Sequence, residues 1–213
     1  MLQDVPTGFY WLEKAAGQNV SSAQYLFGHA YRKGIHVRKN DRQAARWLEK
    51  AAQQGHVDAQ FDAGMLYYLG QGVKKDDAKA FYWHSKAARS GLHEAQFALG
   101  VHYDTGQGVP KNAEKAVYWF SKAAQDNDRD ALLLLGKHYY YGKGVAVNKR
   151  KAVELIRDAA KLGQRDAQLI LGHIYETGNG LPKNLAQARH WYTLAANAGE
   201  KNARARLKAL GRR

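Results

Sequence analysis

The sequence predicts an all-α chain built as a linear stack of two-helix units, and three observations carry that prediction. Five series of residues recur every 36 positions in one phase over the 213 residues. They are the pairs Ala15-Ala16, Ala51-Ala52, Ala87-Ala88, Ala123-Ala124, Ala159-Ala160 and Ala195-Ala196; the glycines Gly28, Gly64, Gly100, Gly136 and Gly172; the tyrosines Tyr31, Tyr67, Tyr103, Tyr139 and Tyr175; the alanines Ala23, Ala59, Ala95, Ala131, Ala167 and Ala203; and the tryptophans Trp11, Trp47, Trp83, Trp119 and Trp191, with Leu155 in the missing place. No insertion breaks the register, which is the mark of a repeat protein. Composition agrees, because 3 prolines suit helices while 21 glycines must punctuate something regular. Within each period the apolar residues fall twice at helical spacing.

The elements follow in order. Residues 5–16 read as a helix of the second type whose first-type partner is absent, so 1–19 form a half repeat. Five full repeats follow at 20–55, 56–91, 92–127, 128–163 and 164–199. The first helix is typified by 95–106, where Ala95, Leu99, Gly100 and Tyr103 share a face. A glycine loop such as 106–112 permits positive φ at its end. The second helix, such as 113–125, sets Ala116, Trp119, Ala123 and Ala124 on one stripe. Asp76, Asn112, Asn148 and Asn184 stand where that helix needs an N-cap. Gly55, Gly91, Asn127, Gly163 and Gly199 stand just past its end. Small residues let the helices approach, and the Trp and Tyr series are expected to fill the space between them. One helix pair cannot bury its own face, so pairs must stack into a single solenoid domain over 1–213. Residues 200–213 are a shortened capping helix whose Arg204, Arg206, Lys208, Arg212 and Arg213 suit a solubilising end. An opening in mid-repeat predicts upstream sequence, a signal peptide and a further helix among it.

Composition also excludes classes. Hydrophobic residues at 45% and charged residues at 24% argue against disorder. No apolar run reaches eighteen residues, so no transmembrane segment is expected. Without cysteine there is no disulfide scaffold, cysteine nucleophile or thiolate metal site. A net charge of +14 and a pI near 9.8 favour acidic partners.

The repeat resembles the Sel-one-like repeat (SLR) family, a relative of the tetratricopeptide repeat. Residues 95–127 read AQFALGVHYDTGQGVPKNAEKAVYWFSKAAQDN against the family pattern A-x-x-x-L-G-x-x-Y-x-x-G-x-G-V-x-x-D-x-x-K-A-x-x-W-x-x-K-A-A-x-x-G. The 36-residue period also differs from the 34 of tetratricopeptide repeats. Departures are local: His36 for the second loop glycine, Leu155 for tryptophan, Asp158 for lysine and Asn127 for the final glycine. The resemblance implies a right-handed α-α superhelix that binds proteins or peptides on its concave face. It also implies a bacterial protein, periplasmic or exported, with a cytoplasmic location as the alternative. Some similar proteins are immunity proteins that hold a secreted phospholipase effector inactive.

Positions that recur in every period serve the fold, so a site is expected where the periods differ. With the tetratricopeptide-like arrangement carried over, the concave face presents Tyr25, His29, Arg32 and Lys33; Phe61, Met65, Tyr68 and Leu69; Phe97, Val101, Asp104 and Thr105; Leu133, Lys137, Tyr140 and Tyr141; and Leu169, His173, Glu176 and Thr177. From these the expected partner contacts are Arg32, Lys33, Met65, Tyr68, Leu69, Asp104, Lys137, Tyr140, Tyr141, His173 and Glu176. Tyr68-Leu69 and Tyr140-Tyr141 are the anchor candidates, packing along the seam between repeats being the alternative. Arg32, Lys33, Asp104 and Glu176 would set charge complementarity.

Other patterns read as structural. Asp58, Glu94, Asp130 and Asp166 recur in the first turn of first helices and complement the helix dipole. The basic stretch Arg32, Lys33, Arg38, Lys39 and Arg42 with His36, and the C-terminal one with Lys201, read as solvated faces. Nine histidines form no zinc-ligand spacing, the G-x-G loops follow helices rather than strands, and no Ser-His-Asp signature stands out. No catalytic residue, cofactor or metal is therefore expected. The sequence points to a monomeric, non-catalytic scaffold for an acidic protein or peptide, possible roles being immunity or adaptor protein for an exported effector. The alternative is a basic binder of nucleic acid or anionic surfaces. Leu155, smaller than the tryptophan it replaces, is expected to soften the fourth repeat.

Overall fold

A computed structural model describes residues 5–211, with side chains from residue 8. Among the described residues there are twelve helices and no strand: α1 (Val5–Gly17), α2 (Ser21–Lys33), α3 (Asp41–Gln53), α4 (Val57–Leu69), α5 (Asp77–Arg89), α6 (His93–Thr105), α7 (Ala113–Gln125), α8 (Arg129–Tyr141), α9 (Lys149–Lys161), α10 (Arg165–Thr177), α11 (Leu185–Asn197) and α12 (Lys201–Leu210). The fold is the all-α solenoid of 36-residue helical hairpins that the period predicts. It divides into two compact units, one ending at Lys111 and one beginning at Asn112. In each unit every helix packs on the next.

Local chemistry sets the helix ends. Asn40, Asp76, Asn112, Asn148 and Asn184 each accept a backbone N–H three residues on, at 2.9–3.1 Å, which caps the second helices. Asn40 completes the cap series predicted from the other four. Beyond those helices Gly55, Gly91, Gly163 and Gly199 have positive φ, and Asn127 joins them at φ 58°. The second loop glycine sits tightly: a Cβ on Gly72 would fall 2.0 Å from the Asp41 carbonyl oxygen at the start of α3. His36, which stands where the other repeats have this glycine, takes the same left-handed region at φ 58°.

The expectation that tryptophan fills the space between helices needs correction. Trp11 is 64% exposed, Trp47, Trp119 and Trp191 are half-buried, and only Trp83 is buried among the five. The buried position is the one after it: Leu48, His84, Phe120, Ile156 and Tyr192 are all at 2% exposure or below. One residue further along a helix is a rotation of about 100°, enough to turn this column onto the first helix of its own repeat. There the helical glycines receive it. A Cβ on Gly64 would fall 2.2 Å from the His84 ring, one on Gly172 2.6 Å from Tyr192, and one on Gly136 2.8 Å from Ile156. A second unforeseen series links three of the repeats to the helix before them. The buried amides of Gln24, Gln60 and Gln168 donate to the carbonyls of Ala16, Ala52 and Ala160 at 3.1–3.2 Å.

Candidate partner-binding groove

In the second unit the first-type helices α8, α10 and α12 enclose a groove of about 460 Å³. Lys137, Tyr140 and Tyr141 come from α8; Leu169, Ile170, His173, Ile174 and Thr177 from α10; Asn179 from the following loop; and Asn202 and Arg206 from α12. Ile156 and Tyr192 complete its lining from the second helices. The volume suits a few side chains of a bound segment.

The aromatic wall is ordered by its neighbours. Tyr140 and Tyr141 meet edge to face at 5.0 Å, and Asn179 donates its amide to the Tyr140 hydroxyl. Lys149 stands 5.5 Å above the Tyr140 ring and Lys143 6.0 Å above Tyr141, so cations border the aromatic rim. Tyr141 is 66% exposed, a large apolar surface facing solvent.

At the other end Glu176 is the node of a small network. Its Oε2 accepts the Tyr192 hydroxyl at 2.8 Å and lies 3.8 Å from Arg206 Nη1 and 4.0 Å from His173 Nδ1. Burial, the bond to Glu176 and its charge push the Tyr192 hydroxyl well above the ordinary phenol range, keeping it a neutral donor.

Of the expected contacts, Lys137, Tyr140, Tyr141 and His173 converge on this groove and Glu176 on its inner edge. Arg206, Asn202, Asn179 and Ile170 were not foreseen. Arg206, expected at a solubilising end, lines the groove. The missed signal is the column Asp62, Ala98, Leu134, Ile170 and Arg206, whose two charges stand where other repeats have apolar residues.

The remaining expected contacts lie along α2, α4 and α6 of the first unit. Arg32 Nη1 is 3.1 Å from Asp62 Oδ1, and His29 Nε2 is 2.6 Å from Asp62 Oδ2. Tyr25 stacks on His56 at 4.5 Å and meets His29 edge-on. Lys33 is exposed in the last turn of α2, Met65 is half-buried, and Leu69 is exposed. Tyr68 is half-buried with Lys75 5.7 Å above its ring, and Asp104 is half-buried. Arg38, Lys39 and Arg42 border a shallow open concavity beside Gly72 and remain exposed. The periodic acids Asp58, Glu94, Asp130 and Asp166 do occupy first turns. Of the C-terminal basic residues, Arg212 and Arg213 lie outside the described residues. Among the described residues no group of three or more His, Asp or Glu is arranged to hold a metal, and no helix is long and apolar enough to cross a membrane.

Stacked helical hairpins that leave an aromatic-rimmed groove define a helical-repeat scaffold. The chain belongs to the Sel1 repeat family, whose model matches residues 1–20, 21–56, 57–92, 93–128, 129–164 and 165–200. Members of that family are typically scaffolds for protein–protein interaction. Among solved structures, the chain is similar to c5321, a protective antigen of uropathogenic Escherichia coli with an SLR fold, at 33% identity and a TM-score of 0.91. That match covers 96% of this chain but 44% of the other, so this chain spans less than half of that protein's length. A Sel1 repeat protein from Oxalobacter formigenes matches at 35% identity and a TM-score of 0.83, over 89% of this chain and 76% of that one. The immunity protein Pa5087 from Pseudomonas aeruginosa matches at 25% identity and a TM-score of 0.53, over 86% and 67%. No curated protein sequence matches the chain.

Proposed function

We propose that the chain is a non-catalytic scaffold that holds a protein partner through the groove between α8, α10 and α12. The observation that carries the reading is the exposed Tyr141 beside Tyr140, set over an apolar floor in a family of interaction scaffolds. Rigid aromatics next to a preformed depression are the usual anchors of an interface. The partner is acidic overall, because Lys and Arg number 19 against 9 Asp and Glu in the second unit, a net +10. A narrower version, supported by the likeness to the immunity protein Pa5087, is that the partner is an exported effector kept inactive while bound.

The test is a pull-down from nuclease-treated lysate of the source organism with the wild type and a Tyr140→Ala/Tyr141→Ala variant. One protein retained through a wash at about 200 mM salt by the wild type and lost by the variant is the expected result. Retention of nucleic acid that disappears as salt rises from about 50 to 200 mM would mean phosphate attraction dominates, and the groove reading fails.

A further inference from the structure

We propose that the groove of the second unit recognises a linear segment that sets an apolar side chain beside a carboxylate. This rests on the groove reading above and adds the chemistry of the occupant. Three observations point to it. The floor offered by Ile170 and Ile174 is apolar, which selects an aliphatic or aromatic side chain over a polar one. Among the described residues lining the groove there is no Asp or Glu, while Lys137 and Arg206 both line it. Lys137 is half-buried and has no carboxylate within ion-pair distance among the described residues, and a partly desolvated ammonium without a counter-charge favours an incoming anion.

Arg206 is held for the same task. Glu176 contributes a charge beside the groove, but its side chain is 10% exposed and its Oε2 already meets the Tyr192 hydroxyl, His173 and Arg206. Its charge is therefore largely offset toward an acidic segment, and at 3.8 Å it attracts the guanidinium to the groove without taking up its N–H donors, which stay open to a ligand carboxylate. The two cations come from α8 and α12, while α10 between them in the chain carries the floor. Asn179, just past the end of α10, reaches Tyr140, and Glu176 on α10 reaches Arg206, so both walls are tied to it.

The test is selection of a displayed library of random nonapeptides on the whole chain, followed by fluorescence anisotropy with the enriched peptides. Enriched peptides are expected to pair Asp or Glu with Leu, Ile or Phe, and exchange of their acids for the matching amides is expected to weaken binding about ten-fold. Lys137→Gln and Arg206→Gln are expected to erase that preference, while Lys161→Gln, a cation of α9 that pairs with Asp158 away from the groove, keeps it. Circular dichroism confirms that each variant is folded. Apolar peptides without acids, still bound by both Gln variants but not by Tyr140→Ala/Tyr141→Ala, would overturn this proposal and leave the groove reading standing. Acidic peptides bound equally by that double variant would overturn both. Failure to enrich any peptide would overturn the linear-segment proposal, and the pull-down above then decides the groove reading separately.

Discussion

His84 Nδ1 lies 3.0 Å from His102 Nε2 in the core of the first unit, both residues 2% exposed. His102 directs Nδ1 to the Gln107 carbonyl at 2.7 Å, so that nitrogen carries the proton and Nε2 accepts from His84. His84 Nε2 is then a buried lone pair without a hydrogen-bond partner, against Gly64. Burial and the second ring lower the His84 pKa to about 3, slightly offset by the Phe61 carbonyl. Burial lowers His102 as well, against the pull of Gln107 and Asp77. An unfolded chain takes up the proton near the ordinary 6.5, the folded one only near 3, so between those values the unfolded state binds more protons. Stability is fully present above that window and falls as pH drops through it, by about 1.4 kcal/mol per unit from His84 alone. Urea unfolding from pH 7 to pH 4 measures the slope. His84→Phe is expected to flatten it, since Phe120 already fills the same slot one repeat on; an unchanged slope would contradict the assignment.

Arg32–Asp62 and Glu176–Arg206 are the same pair of positions four periods apart, with the charges exchanged. Each ties first helices of neighbouring repeats within its own unit. The first is shorter, 3.1 against 3.8 Å, and its carboxylate also holds His29. A double-mutant cycle over Arg32→Ala and Asp62→Ala is expected to give about 1–3 kcal/mol of coupling. The same cycle over Glu176→Ala and Arg206→Ala, whose arginine is half exposed, is expected to stay below about 1 kcal/mol. Exchanging both residues in the first pair, Arg32→Glu with Asp62→Arg, should recover part of the loss.

Glycine to alanine is expected to act with opposite signs at two helical positions. In Gly64→Ala the new methyl would lie 2.2 Å from the His84 ring, and overpacking should destabilise by about 1–3 kcal/mol. Nothing stands within 4 Å of a Cβ on Gly8 in α1, so Gly8→Ala should stabilise by about 0.5–1 kcal/mol through helix propensity. Thermal unfolding of both variants checks the pair.

The period made the hairpins, loops and caps legible, because Ala, Gly and Asn repeat where backbone geometry admits few residues. The site was legible only in part. Tyr140, Tyr141, Lys137 and His173 could be found as departures from the period on the face already singled out. Arg206 could not, since it lies in the shortened last helix among other basic residues, where a cation fits a solvated cap equally well. The core column Leu48, His84, Phe120, Ile156 and Tyr192 was hidden for a different reason: any residue of suitable volume fits against a glycine, so the position varies while its neighbour, tryptophan, repeats.

That distinction bears on the fourth repeat, where Leu155 replaces tryptophan and a soft α9 is expected. Leu155 is half-buried against the cluster of Leu132, Leu133 and Val153, whereas Ile156 is buried against the Gly136 backbone. Ile156→Ala removes atoms from a buried site packed on Gly136 and should destabilise by about 2–4 kcal/mol. Leu155→Ala opens a site already partly wet and should cost about 1 kcal/mol. Leu155→Trp, which restores the residue of the other repeats, should gain no more than about 1 kcal/mol and slow amide exchange over 149–163 if the replacement is what softens α9. Exchange in the wild type at the rate of α11, unchanged by Leu155→Trp, would mean that Ile156 alone sets the stability of this hairpin and that the tryptophan column is dispensable to it.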